Sequence, residues 1–134
     1  MNIEAFLLCD AATDQQGKLN ILGAFDNIWT KKAPAIHPAC AVAVRIRFEK
    51  VEEGNHPIRI HIIDEDGKPI GPKLEGNVNV RIGDDADSTV TNMVLNIQGL
   101  KFEKYGQYRI DIAIDNQIKG SLPLHVREIP DQTK

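Results

Sequence analysis

Apolar residues recur along the chain at every second position, the spacing of strands that keep one face in a core and the other in water. Cys40, Val42, Val44, Ile46 and Phe48 alternate with Ala41, Ala43, Arg45, Arg47 and Glu49. Ile58, Ile60 and Ile62 repeat the pattern, followed by Val78, Val80 and Ile82, then Met93, Leu95 and Ile97. Tyr108, Ile110, Ile112 and Ile114 continue it, and Leu122, Leu124 and Val126 close it. Two more strands open the chain: about Ile3 to Asp10, apolar on both faces and so expected to be covered on both sides, and about Leu19 to Trp29. Polar clusters at 13–18, 53–55, 64–67, 83–85 and 115–116 read as turns. No segment has the period of a long helix, and 100–105 is long enough for a single turn. The pattern predicts an all-β fold: an antiparallel β-sandwich of about eight strands with immunoglobulin-like, Greek-key character. A closed barrel is the alternative.

Parity extends this to register. If the inward residues of 40–48 and 58–62 share a face, the loop between them has an odd number of residues. A loop of Glu52, Glu53 and Gly54 satisfies this and puts Gly54 where a left-handed residue is wanted. Arg47 then faces Arg59, and Arg45 faces His61. The same rule makes Asp115, Asn116 and Gln117 the last hairpin loop, pairing Ile114 with Ile118, Ile110 with Leu122 and Tyr108 with Leu124. The segment 100–108 has the character of a sandwich corner, in which the Tyr108 hydroxyl returns to backbone a few residues upstream. Pro123 lacks an N–H, which points to an edge position for the last strand.

The chain of 134 residues matches one domain at the usual ~100–200 residues. A single unit, 1–134, is expected, with 128–134 as a flexible tail. A net charge of -3 argues against nucleic acid as the partner, because counterion release requires a basic excess. There is no apolar run of ~18–20 residues and no basic residue in the first ten, so neither a membrane span nor a leader is expected, and the location expected is cytoplasmic. Cys9 and Cys40 lie in apolar runs without a CxxC spacing and read as buried, reduced thiols.

Catalytic chemistry is hard to assemble from these residues. The two serines, Ser88 and Ser121, lie outside any GxSxG elbow. His37, His56, His61 and His125 are dispersed, with no HxH or HExxH spacing. The acidic turns 64–66 and 84–87 offer oxygen ligands for calcium but lack the EF-hand pattern, and solvated turns are the simpler account. No GxxxxGK or GxGxxG run precedes a helix. The expectation is therefore that the protein is not an enzyme and carries no cofactor, catalytic residue or metal.

One distribution stands out. All six arginines, Arg45, Arg47, Arg59, Arg81, Arg109 and Arg127, occupy outward strand positions. The register above opposes basic residues, which requires a counter-charge from a third strand, a partner chain or a bound anion. Glu49 and Asp111 are the internal candidates. A salt-laced solvent face accounts for this simply, since arginine stems cover sheet surface well. The functional alternative is a recognition surface of Arg45, Arg47, Arg59 and His61. Trp29, the sole tryptophan, either plugs one end of the sandwich, the expected role, or stands exposed as an anchor for a partner.

The run 8–12 (Leu-Cys-Asp-Ala-Ala), the run 17–25 (Gly-Lys-Leu-Asn-Ile-Leu-Gly-Ala-Phe), Pro34 and Pro38 before a long strand, and 63–67 together resemble a family of small uncharacterised bacterial proteins. The resemblance spans the first half of the chain and implies a β-sandwich of bacterial origin. It brings no activity, cofactor or site residue with it. The functional expectation is a non-enzymatic binding or assembly module that uses a sheet face or an edge strand, its partner an unidentified protein or a second copy of the chain. A small-anion or carbohydrate binder using the arginine face is the alternative, and a metal enzyme built on the acidic loops has the least support.

Overall fold

The computed structural model describes residues 1–130. Among the described residues nine strands run in the order β1 (Asn2–Gln15), β2 (Lys18–Ala24), β3 (Asn27–Thr30), β4 (Ala35–Glu49), β5 (Gly54–Ile63), β6 (Pro69–Val80), β7 (Ser88–Phe102), β8 (Gly106–Ile114) and β9 (Gln117–Glu128). They form two packed sheets, a four-stranded one ordered β2-β1-β4-β7 and a five-stranded one ordered β3-β9-β8-β5-β6. The sandwich is as predicted, with one strand more. The segment read as a single strand over 19–29 is two strands in different sheets. Phe25 N–H bonds to Leu8 C=O in one sheet and Asp26 C=O accepts His125 N–H in the other, both at 2.9 Å, so the crossing is tied at each side. β3 then pairs with β9 in parallel, against the antiparallel rule of the other pairs.

The predicted hairpin between 40–48 and 58–62 does not form. A 3-10 turn, Lys50–Glu52, carries the chain from one sheet to the other. β4 pairs with β1 and β7, while β5 pairs with β6 and β8. Parity required only that both apolar faces look into a common core, and two strands in facing sheets meet that condition as well as two neighbours do. The β5–β6 hairpin lies in the second sheet and β7 returns beside β4, a Greek-key connection.

The last hairpin turns on two residues, not three. Asp115 and Asn116 both have positive φ, 56° and 65°, the type I′ geometry that suits strand twist, and Ile114 pairs with Gln117. A bulge beside Ile112 and Ala113 absorbs the parity difference, so Ile110 still meets Leu122 and Tyr108 still meets Leu124. The corner is present: the Tyr108 hydroxyl donates to Lys104 C=O at 2.7 Å, and its ring packs edge-on to Phe102. β9 is an interior strand, contrary to the edge expected from Pro123. Pairing with β3 begins only at His125, which leaves the missing donor of Pro123 without cost. Of the expected tail, 128–134, Glu128 belongs to β9 and Ile129 N–H bonds to Thr30 C=O, while 131–134 lie outside the described residues.

The core fills the space between the sheets with Val42, Val44, Ile46 and Phe48 from β4 against Ile58, Ile60, Ile110 and Ile112. A second, smaller cluster lies outside the four-stranded sheet. Cys9, Ala41 and Ala43 are fully buried there beneath Ala12, Leu19 and Ile21. The β1–β2 hairpin therefore arches back over its own sheet, and Asn92 Nδ2 holds its tip by donating to Asp14 Oδ1 and Gly17 C=O. This covers the first strand on both sides at Leu8 and Cys9. Both thiols are free and buried, and desolvation pushes Cys40 up to about 11. No helix among the described residues is long and apolar enough to cross a membrane.

Candidate functional site

The four residues expected to share a basic surface are divided between the two outer faces of the sandwich. Arg45 and Arg47 lie on the four-stranded sheet, where their Nε atoms donate to the two oxygens of Glu4 at 2.9 and 2.7 Å. Arg45 also reaches Asn92 Oδ1 and Arg47 reaches Ser88 Oγ. Glu4 sits at the irregularity between Ile3 and Ala5, where the extra residue of a bulge aims its carboxylate at both guanidiniums. Hydrogen bonds from Arg47 and then Arg45 hold Glu4 below its ordinary pKa. The counter-charge here is Glu4 and not Glu49, because β1 and not β5 is the neighbour of β4.

Arg59 and His61 lie on the other sheet. Arg59 approaches Glu75 at 3.8 Å, and His61 pairs in register with Asp111. Asp111 is only 3% exposed although it points outward. Arg109 Nε donates to both of its oxygens, at 2.8 and 3.0 Å, and the Ser121 hydroxyl donates to Oδ1. This carboxylate, foreseen as a counter-charge, is spent on Arg109 and Ser121. The serine hydroxyl accordingly faces a carboxylate rather than an imidazole, which is not the arrangement of an activated nucleophile.

The acidic turn 64–66 closes one side of a cleft of about 510 Å³ beside Arg109 and Ser121. Asp64 Oδ1 accepts the N–H groups of Asp66 and Lys68, Glu65 accepts Gln107 N–H, and Asp66 accepts from Lys104. These carboxylates organise the turn and tie it to the corner before β8. Among the described residues, no three His, Cys, Asp or Glu side chains converge as a metal site.

Trp29 does not plug the sandwich. It is 55% exposed on the outer face of β3, beside its register partner Arg127, whose guanidinium carbon lies 5.7 Å from the ring centroid. Arg127 Nε is held in turn by Asn27 Oδ1 at 2.6 Å. Next to Trp29 a cleft of about 350 Å³ opens between the sheets, lined by Asp10, Phe25 and His37 among others. Asp10 fits because Gly23 lies opposite it: a Cβ at Gly23, where φ is +69°, would fall 2.6 Å from Asp10 Oδ2. His37 is held against Phe25, ring centroids 5.5 Å apart. In the sequence Asp10 reads as the end of the first strand and His37 as an isolated histidine; only the crossing of the chain between sheets brings them to one cleft.

The four sheet edges are protected unequally. β3 has four residues and is followed by two lysines, and β6 carries Pro69, Pro72, Lys73 and Glu75. β7 is partly covered from Ser88 to Leu95. Both edges of the four-stranded sheet run without charge or proline, over Ser88–Leu100 in β7 and Leu19–Phe25 at β2, but the first eight residues of β7 are half-buried whereas four of the seven at β2 are exposed, Leu22 to 70%.

These features define an all-β domain of two packed sheets whose polar groups are mostly spent on its own faces and turns. The particular family follows from comparison: residues 4–127 match the model of a family of unknown function, DUF6941, and the chain belongs to it. No curated protein matches the sequence. Among solved structures, a β-glucuronidase from glycoside hydrolase family 2 is similar over 69% of this chain, at 19% identity and a TM-score of 0.40. The chain spans 11% of that protein's length.

Proposed function

We propose that the protein is a non-enzymatic binding or assembly module that takes a strand of a protein partner, or of a second copy, onto the free edge of β2. The contrast among its edges carries this reading. Strand addition needs unpaired backbone N–H and C=O groups and shallow apolar contacts for alternate side chains. β2 supplies the edge, and Leu22 with Ala11 and Ala12 supplies the contacts. The arginine face supports a partner less well, since Arg45 and Arg47 already share Glu4.

Capture of partners by the tagged chain, together with its mass in solution, tests this when wild type is compared with Leu22→Lys and Arg47→Glu. A specific partner, or a dimer, that disappears in Leu22→Lys while melting stays unchanged is the expected result. Loss in Arg47→Glu with retention in Leu22→Lys would move recognition to the sheet face. A monomer without any specific partner would overturn both versions.

A further inference from the structure

We infer that the cleft between Trp29, Asp10 and His37 binds a neutral carbohydrate. This is independent of the β2 edge. Folding leaves several polar groups here without a partner. Among the described residues, neither the Asp10 carboxylate nor the His37 ring makes a side-chain hydrogen bond or ion pair, and the indole N–H of Trp29 has no acceptor. By contrast the two carboxylates that line the larger cleft, Asp64 and Glu65, are engaged by backbone N–H donors. Asp10, His37 and Trp29 line one open cleft of about 350 Å³, near the lower end of the roughly 300–1,000 Å³ of small-ligand sites.

Charge narrows the ligand. A cation would find the π system of Trp29 already facing Arg127, at a distance well inside the ~8–10 Å over which charges are felt in physiological salt. An anion would meet Asp10. A wholly apolar ligand would strip water from the Asp10 carboxylate and give it no donor, which is costly. A ligand without net charge, with hydroxyls for the carboxylate and imidazole and a flat C–H face for the indole, meets none of these objections. A pyranose ring has that construction. The cleft is also preorganised: Asn27 holds Arg127 beside Trp29, Phe25 backs His37, and the absent side chain of Gly23 makes room for Asp10.

Because Trp29 is the sole tryptophan, intrinsic fluorescence reports directly on this surface. Maltose, cellobiose, lactose and N,N′-diacetylchitobiose, titrated separately into the intact protein, serve as probes, with adenosine as a flat, neutral non-sugar. At least one disaccharide is expected to give a saturable change in emission with a Kd of roughly millimolar order. Calorimetry on Asp10→Asn and on Trp29→Ala should show that binding weakened at least about tenfold, the worth of one hydrogen bond to a charged group. Leu22→Lys should bind as wild type, which keeps this site separate from the β2 edge. Absence of saturation by all four disaccharides, a response to adenosine alone, or sugar binding undiminished in both Asp10→Asn and Trp29→Ala would overturn the inference.

Discussion

His56 sits between two acceptors: its Nδ1 faces the Asp115 carboxylate at 2.9–3.0 Å and its Nε2 faces Glu52 C=O, while the ring stacks on Phe48. The Glu52 carbonyl chiefly, and Asp115 in addition, raise its pKa above 6.5 against the opposing effect of burial. A raised folded-state pKa stabilises fully below 6.5, and that contribution is lost as pH rises through the folded value. Glu4 acts in the opposite sense: its lowered pKa stabilises above 4.5 and is lost as pH falls. Urea midpoints should therefore decline as pH is raised from about 6 to 8, and His56→Gln should flatten that decline. A wild-type midpoint that rises over this range would contradict the assignment. Single-residue roles of this kind were poorly legible in sequence. Tyr108 could be read because its acceptor lies four residues away, whereas Glu4 takes its role from Arg45 and Arg47, and His56 is completed by Asp115 in addition to nearby Glu52, contacts made 41 to 59 positions along the chain.

The long β4–β7 ribbon changes face partway along. Between the pairs His37–Leu100 and Ala39–Gln98, Pro38 stands opposite Gly99, and the buried side switches from Cys40 and Ile97 to Ala35, Leu100 and Phe102. Gly99 has φ +66°, with open space where a Cβ would point, so the demand on glycine is one of backbone conformation alone. Gly99→Ala is expected to destabilise by about 1–2 kcal/mol. Gly76→Ala, where φ is ordinary and the space equally open, should be close to neutral in the same thermal melts. Equal effects of the two would refute a special role for the switch. At this scale sequence reading worked wherever alternation was unbroken and failed where it was interrupted. β6 starts at Pro69, well before the alternating Val78, because Gly71, Pro72 and Gly76 dilute its pattern.

Across the whole molecule, the β1–β2 hairpin determines which small residues the sheet must carry. Ala41 and Ala43 have no exposed surface although they face away from the main core, because the hairpin lies on them. Ala43→Leu should force the hairpin off the sheet, at a cost of roughly 1–3 kcal/mol for overpacking. It should also speed amide exchange over 11–22 far more than over β8. Unchanged protection there would mean that the hairpin is held by its tip contacts to Asn92 alone.

Most strands and their inward faces, the pairing of Ile110 with Leu122 and of Tyr108 with Leu124, and the tyrosine corner were determined by the sequence itself. Each depends on the two-residue pleat or on a turn spanning a few positions, and these are local properties of the chain. Tertiary structure alone decided which strands are neighbours. Parity cannot tell a hairpin partner from a strand facing it across the core, and from that choice follow the separation of Arg45 and Arg47 from Arg59 and His61, the recruitment of Glu4, and the meeting of Asp10, Trp29 and His37 at one cleft.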